Sequence, residues 1–389
     1  MGEVAEFYNG DRGPNYPKPS EIVEQGVPFI NAGDLINGHI DYHNCKHITS
    51  DKFNQLNGAK LKINDIVYCL RGTIGKNGLV NSDANATIAS SLVCIRPVKL
   101  RPLFLFQILN SSIEERQRKM VDEGAAQPNI SATNLKKFLI PVPNDNEQEK
   151  IGEVFSKLNH LITLQQRKLE QLKQLKKAML QQLFVDKNNK QPTLRFKNFK
   201  GDWKQHRLGE ISTKVTTKNQ SNASLPVFTN SAKDGIVNQE KFFDKQIANN
   251  TSNYYVVNNN DFVYNPRISK NAPFGPIRRN TLNKTGIMSP LYYIFSLSHN
   301  TDENFLSFYF LSSKWYKFMY ENGDSGARSD RFAIKDKVFQ QMPIKLPLII
   351  EQTEIGKFLN YVNILISLQQ TKLTQLTTLK KYLLQKMFI

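Results

Sequence analysis

One long segment is written twice in this chain, and nothing else in the sequence limits the fold as strongly. EQEKIGEVFSKLNHLITLQQRKLEQLKQLKKAMLQQLF (147–184) overlays EQTEIGKFLNYVNILISLQQTKLTQLTTLKKYLLQKMF (351–388) at a shift of 204 residues, without a gap, and about half the positions are identical. Apolar residues in both copies step alternately by three and four, the heptad pattern of a helix with a single seam. The first seam reads Phe155, Leu158, Ile162, Gln165, Leu169, Leu172, Lys176, Met179 and Leu183. The second reads Leu359, Val362, Ile366, Gln369, Leu373, Leu376, Lys380, Leu383 and Met387. Glutamine and lysine interrupt both at the same places, and polar groups at seam positions cost stability while fixing register and partner number. Each helix spans ~57 Å at 1.5 Å per residue.

Two helices of one length and one seam in one chain most simply pair with each other. An antiparallel pair places a globular unit at each end, related by a pseudo-two-fold axis, and avoids a return connection as long as the helix. Leu161, Leu164, Leu175 and Leu180 make a second apolar edge that a two-helix seam does not use. They pack either on their own globular units or against other subunits. Asn144, Asp145 or Asn146 is placed to cap the first helix, after a stop at Pro143.

The repeat continues upstream more faintly. Pro143 falls on Pro347, NDIVY (64–68) resembles NDFVY (260–264) with Arg71 or Arg267 following, and MGEVAEF at the start resembles LGEISTK at 208–214. TLRFKNFKGDWKQHR (193–207) precedes LGE in the second unit and has no counterpart ahead of GEV in the first. The expected division is 1–143, a globular unit; 144–186, a long helix; 187–347, a second unit with a lead-in over 187–207; and 348–389, the second long helix. Two copies make a tandem duplication, not a solenoid.

The globular units read as α+β. Strand-like runs include VPFINAGDL (27–35), KINDIVYCL (62–70), SSLVCIRPV (90–98), DFVYNP (261–266) and PLYYIFSL (290–297), with helical patterns over 101–120 and 303–323. Lysine and arginine outnumber aspartate and glutamate by 52 to 34, a formal charge of +18 that points to a polyanion such as nucleic acid. Polar and basic residues gather in loops, where such side chains read base edges or hold phosphates. In the first unit the candidates are Arg12, Asn15, Tyr16 and Lys18; Arg71, Lys76 and Asn77; and Gln127 and Asn129. In the second they are Asn230, Ser231 and Lys233; Arg267, Lys270, Asn271, Arg278 and Arg279; and Arg328 and Arg331.

Enzyme signatures fail inspection. RGTIGKNG (71–78) lacks the phosphate-loop spacing and reads as a tight turn, and YNPR (264–267) departs from the adenine-methyltransferase tetrapeptide in its second proline and its aromatic. His39, His43, Cys45 and His47 are too loosely spaced for a zinc site, so no metal ligand and no catalytic residue is assigned. Cys45, Cys69 and Cys94 form no CxxC pair and read as reduced. No apolar run is long enough to span a membrane and the first residues do not form a signal peptide, so the cytoplasm is expected.

Taken together, GVPFINAGDLINGHI (26–40), GAAQPNIS (124–131), IPVPNDNEQEKI (140–151) and the paired LQQ…LKK helices resemble the specificity subunit of type I restriction–modification enzymes over essentially the whole chain. The resemblance implies two similar α/β-type target recognition domains joined by a long antiparallel two-helix coiled coil. It implies that each domain reads one half of a bipartite double-stranded DNA site, with the helices as a spacer ruler. It also implies two methyltransferase (modification) subunits and motor-nuclease (restriction) subunits as partners, which would carry S-adenosylmethionine, ATP and magnesium. In the family the upstream segment that the first unit lacks helps close a pseudo-symmetric ring. Two other classes remain open: a coiled-coil scaffold whose units bind protein, and a non-catalytic RNA or single-strand binder. The latter would need aromatic platforms, whereas Tyr254–Tyr255 and Tyr292–Tyr293 fall in strand-like runs and read as core.

Overall fold

The computed structural model describes residues 1–83, 85–121, 129–219, 224–244, 251–298, 300–324 and 330–388. The chain divides into two units, Met1–Arg167 with Thr371–Ile389, and Lys168–Gln370. Each long helix therefore begins in one unit and ends in the other.

The first unit contains β1 (Ala5–Asn9), β2 (Ile22–Val23), β3 (Val27–Ile30), β4 (Leu35–Ile36), β5 (His39–Ile40), β6 (Lys46–Ile48), α1 (Ser50–Gln55), β7 (Ile66–Cys69), β8 (Asn77–Leu79), β9 (Thr87–Ile88), β10 (Leu92–Pro97), α2 (Pro102–Ile108), α3 (Ser112–Val121), α4 (Ala132–Lys136) and the start of α5 (Asp145–Gln182). The second contains β11 (Lys204–Arg207), α6 (Leu208–Ile211), β12 (Ser212–Lys214), β13 (Phe228–Ser231), β14 (Gly235–Asn238), α7 (Gln239–Phe243), β15 (Tyr255–Val257), β16 (Phe262–Tyr264), β17 (Ile277–Arg279), β18 (Gly286–Met288), β19 (Tyr293–Leu297), α8 (Glu303–Leu311), α9 (Tyr316–Asn322), α10 (Asp336–Phe339), β20 (Pro343–Leu346) and the start of α11 (Ile349–Lys386). The expected α+β class holds.

Both units are built on an antiparallel four-stranded sheet of equivalent order, β1-β10-β7-β8 in the first and β12-β19-β16-β17 in the second. The NDxVY runs form one of its two inner strands, and both faces are covered. Ile66 and Tyr68 join one core cluster while Val67 and Cys69 join another; Phe262 and Tyr264 likewise separate from Val263. Two buried faces explain why these strands read as apolar runs without polar alternation. The ND pair is the turn that launches each strand. Asn64 and Asn260 share a left-handed φ of 72°, a conformation asparagine tolerates. The next carboxylate is buried and accepts the amide of residue 62 or 258, from Lys62 to Asp65 at 2.8 Å and from Asn258 to Asp261 at 2.7 Å. Burial lifts the Asp261 carboxyl above its ordinary range, against hydrogen bonds from Ser296 and the Asn258 amide. The three cysteines are buried and free.

The two sequence runs expected as continuous helices are each broken. Ser111 separates α2 from α3 by donating to the Ile108 carbonyl and accepting the Ile113 amide. Ser312 separates α8 from α9 by donating to the Tyr309 carbonyl and accepting the Lys314 amide. A short hydroxyl side chain offers the backbone an alternative to the helical ladder.

The EQ dipeptide that opens each repeat seats the long helix. Gln148 is buried, donates to the Pro143 carbonyl at 2.9 Å and accepts the Arg101 amide at 3.0 Å. Gln352 is buried, donates to the Pro347 carbonyl at 3.0 Å and accepts the Asp302 amide at 3.0 Å. Asn144 is the cap of α5, accepting the Glu147 amide at 3.0 Å. One turn on, Gly152 and Gly356 let the start of α2 or α8 approach. A Cβ at either would sit 2.9 Å from the Cβ of Leu103 or Asn304.

In the first unit the start of α5 meets the end of α11: Phe155 stacks on Phe388 at 6.1 Å, and Phe388 also meets Phe104 at 5.8 Å. In the second, Leu183 and Phe184 at the end of α5 share a core with Ile355 and Leu359 near the start of α11. Within each unit the helical segments thus run in opposite senses, as expected. Seam residues from Phe155 to Leu183 and from Leu359 to Leu383 are buried or half-buried. Met387 is a correction: it is 38% exposed, and Phe388 is buried in its stead. Helix α11 ends at Lys386, so the heptad phase no longer governs residue 387. On the second apolar edge, Leu180 packs on the second unit's core, whereas Leu161, Leu164 and Leu175 are exposed.

Substituting alanine for Gly152 or Gly356 is expected to lower the stability of the corresponding unit by about 1–3 kcal/mol, since the packed helix start must move; unchanged thermal midpoints would refute the close-approach explanation. The seam lysines give a second expectation. Burial holds the Lys176 ammonium below its usual range, helped by the charge of Arg278, and burial does the same to Lys380. A folded-state pKa below the unfolded value penalises folding at neutral pH, and the penalty fades as pH rises toward the unfolded value of 10.5. Lys176→Met and Lys380→Met should each raise stability at pH 7 by about 1 kcal/mol, a few degrees in a unit of this size, with the gain shrinking as pH rises toward ~10.5. Equal or lower midpoints at pH 7 would contradict this.

Candidate nucleic-acid interface

Each unit gathers its polar loops at the far end of the NDxVY strand. In the first unit, backbone hydrogen bonds lace three segments together. The Leu70 amide donates to the Ser91 carbonyl at 2.9 Å, and the Ile130 amide donates to the Leu70 carbonyl at 3.0 Å. Arg12 brings in the 10–18 loop by donating to the Ser90 carbonyl from Nε and Nη2, at 3.3 and 3.0 Å. Arg71 and Asn129 form a bridge at this junction, and both are exposed. The turn between β7 and β8 uses left-handed Gly72 and Gly75, at φ 79° and 86°, as the tight-turn reading requires. Lys76 ties it down by donating to the Ala32 carbonyl at 2.9 Å. In the 10–18 loop, Asn15 donates to the Gln55 carbonyl at 3.2 Å and the Tyr16 ring meets Phe29 edge-on at 5.7 Å, while Lys18 is exposed. Hydrogen bonds from the Gly13 and Asn57 amides hold the Asp11 carboxyl below its ordinary range.

The second unit repeats the junction with different residues. Arg267, the counterpart of Arg71, bridges Arg331 at the end of β16. The Phe332 amide donates to the Pro266 carbonyl at 2.8 Å and the Ile268 amide to the Asp330 carbonyl at 3.0 Å. Arg267 and Asp330 form a 3.6 Å ion pair with both side chains exposed. The 229–235 loop joins through Asn265, which donates to the Asn230 carbonyl at 2.9 Å, and through Arg278, which donates to the Ala232 carbonyl at 2.8 Å. Ser231 donates to Asp234 at 3.0 Å, and Lys233, Lys270 and Asn271 are exposed.

Four candidates are corrected. Asn77 is 4% exposed and donates to the Gly75 and Leu109 carbonyls while accepting from Asn110, so it braces the turn. Asn230 is 2% exposed and donates to the Val263 and Pro276 carbonyls, bracing the opposite junction. Arg278 is half-buried under the 229–235 loop, and burial lowers its pKa. Arg279 turns away toward α8, donating to Asn304 at 2.9 Å, and burial lowers its pKa as well. Gln127 and Arg328 lie outside the described residues.

A cleft of about 770 Å³ in the second unit was not foreseen. Arg331, Lys335, Lys214, Tyr255, Leu291 and Tyr292 line it, and Lys214 is paired with Asp336. Tyr293 is buried in the main core, as its strand run implied, but Tyr255 and Tyr292 face the cleft as well as the smaller core. The paired tyrosines were the available signal. Among the described residues there is no group of histidine, cysteine, aspartate and glutamate able to hold a metal, and no helix long and apolar enough to cross a membrane.

Two copies of a sheet, each ending in an arginine-bearing junction and leading into a seated long helix, define a duplicated recognition scaffold. The chain belongs to the type I restriction modification DNA specificity domain family, which matches residues 1–174 and again 200–378. The putative type I restriction enzyme MjaX specificity subunit of Methanocaldococcus jannaschii is 24% identical over 380 residues, 92% of this chain and 85% of that one. The EcoBI specificity subunit of Escherichia coli is 26% identical over 136 residues, 34% of this chain and only 29% of that subunit's length. The type I restriction-modification S subunit from M. genitalium shares the fold, with a TM-score of 0.61 at 16% identity over 100% of this chain and 94% of that one.

The bracing role of the buried asparagines is testable. Asn230→Ala removes two buried side-chain hydrogen bonds, to the Val263 and Pro276 carbonyls, and should cost the second unit about 1–3 kcal/mol, whereas Lys233→Ala should leave the melting curve unchanged. Equal curves for both variants would contradict the assignment.

Proposed function

We propose that this chain is the DNA-sequence-specificity subunit of a type I restriction–modification complex. The observation that carries the reading is the arginine at the same strand end in both copies of a DNA specificity domain, Arg71 in one and Arg267 in the other, each exposed and bridged to a second polar loop residue. The subunit is non-catalytic. It binds double-stranded DNA and directs adenine methylation or cleavage by modification and motor-nuclease subunits, which carry S-adenosylmethionine, ATP and magnesium in the cytoplasm.

Each unit reads one half of a bipartite site. Arginine and lysine at the junctions contact phosphates and guanine edges, giving affinity that falls steeply with salt. Because Asn129 stands where the second junction has Arg331, the two units present different chemistry and the half-sites differ. The long helices set the number of unread base pairs between them. A seven-residue insertion in both helices preserves the seam phase and adds ~10 Å, which is ~3 base pairs at ~3.4 Å each.

Genome-wide mapping of methylated adenine, with and without this gene, tests the reading: one asymmetric bipartite motif should disappear, and an identical map would refute it. In the assembled complex, Arg71→Ala and Arg267→Ala should each weaken duplex binding and reduce the salt slope by about one for a phosphate contact. Binding and slope equal to wild type in both would remove the junctions from the interface.

A further inference from the structure

We infer that the cleft in the second unit holds one unpaired nucleotide, with its base among tyrosines and its phosphate on Arg331 and Lys335. The inference deepens the proposed reading, on which that nucleotide belongs to a DNA strand; the same chemistry serves a free nucleoside 5′-phosphate. At about 770 Å³ the cleft is of the size that takes a small molecule. Tyr255 and Tyr292 are half-buried in its wall, and Leu291 beside them is 58% exposed. Aromatic side chains stack on any base that has left a duplex, whatever its identity. Three cations line the cleft against two carboxylates, Asp324 and Asp336. Lys214 is taken up by Asp336. The side chains of Arg331 and Lys335 make no hydrogen bond or ion pair among the described residues. A free guanidinium and a free ammonium beside aromatic walls suit an anion joined to a flat ring.

A buried hydroxyl points the same way. Tyr264 lines the cleft, is 3% exposed and stacks on Phe339 at 4.9 Å. Its hydroxyl has no hydrogen-bond partner among the described residues. Leaving a buried donor unpaired is costly, so the exceptions call for a partner. The first unit supplies one. Tyr68, at the same place in its NDxVY run, donates to the buried Glu114, which Arg118 holds at 2.8 Å. Folding thus provides an acceptor for one tyrosine and none for the other, and the second tyrosine is the one beside a cleft. The oxygens and ring nitrogens of a nucleotide are acceptors of the required kind.

The experiment is isothermal titration calorimetry on the full chain with each of the four deoxynucleoside 5′-monophosphates, with inorganic phosphate, and with a duplex carrying a single-base bulge beside its fully paired equivalent. One-site binding of nucleotide is expected, ~10-fold or more tighter than phosphate because stacking adds to the anion contact. Arg331→Gln and Lys335→Gln should each weaken it by ~10-fold, the loss of a hydrogen bond from a charged group. Tyr264→Phe should weaken it severalfold while leaving the thermal midpoint unchanged or raised, since the hydroxyl has no partner to lose. Preference for the bulged duplex, lost in the same variants, assigns the nucleotide to a DNA strand; mononucleotide binding without that preference assigns it to a free nucleotide. Nucleotide no tighter than phosphate together with no preference for the bulge, or affinities unchanged in all three variants, would overturn the inference. Paired-duplex binding that survives such a result leaves the proposed function standing. Its absence while the variants still weaken nucleotide binding removes that function and keeps the cleft.

Discussion

The glutamine that follows the first glutamate of each repeat is the interaction on which the rest depends. A buried primary amide must satisfy donor and acceptor together. Gln148 and Gln352 do so by joining the carbonyl of the proline before the long helix to the amide at the start of α2 or α8. That pair of hydrogen bonds fixes where the chain leaves the globular core and at what point the long helix begins. Gly152 and Gly356 then allow the two helices to close to contact. Helical propensity alone would leave the origin of a 38-residue helix free to slip relative to the sheet.

With the helix seated, the sheet presents its far strand end to solvent. Asparagine in a left-handed turn and a buried aspartate start β7 and β16, and the strand runs through a doubly covered sheet until Arg71 or Arg267 emerges. Backbone bonds then draw in a second loop at that point, so exposed cations collect there without any cluster in the primary sequence. Arg278 is spent on holding such a loop, and Asn77 and Asn230 on bracing the turns beneath. These loops differ between the units while the sheet beneath them keeps the same strand order, which on the proposed reading suits one scaffold to two different half-sites.

The long repeat, its polar interruptions, the α+β class and the opposed sense of the helices were legible because each rests on periodicity or on identity at a constant shift. Helix breaks at Ser111 and Ser312 were not, because a single hydroxyl decided them within otherwise helical patterns. The exposure of Met387 was missed because the heptad count ran past the end of its helix. Tyr255 and Tyr292 were read from strand pattern as core, and the cleft beside them is closed by residues 322–324 and 331–339, thirty or more residues further on.

By itself, the sequence determined that this protein is a duplication of an α+β unit, with two seamed helices and an excess of positive charge. Those features are local or periodic, and they survive any arrangement of the loops. Tertiary structure decided which polar residues remain free. Asn230, in β13, and Lys233, in the turn that follows, sit three positions apart, yet one is buried on carbonyls 33 and 46 residues away and the other meets solvent. A side chain's partner lies wherever folding places an unsatisfied carbonyl, and that location is written in no single stretch of the chain.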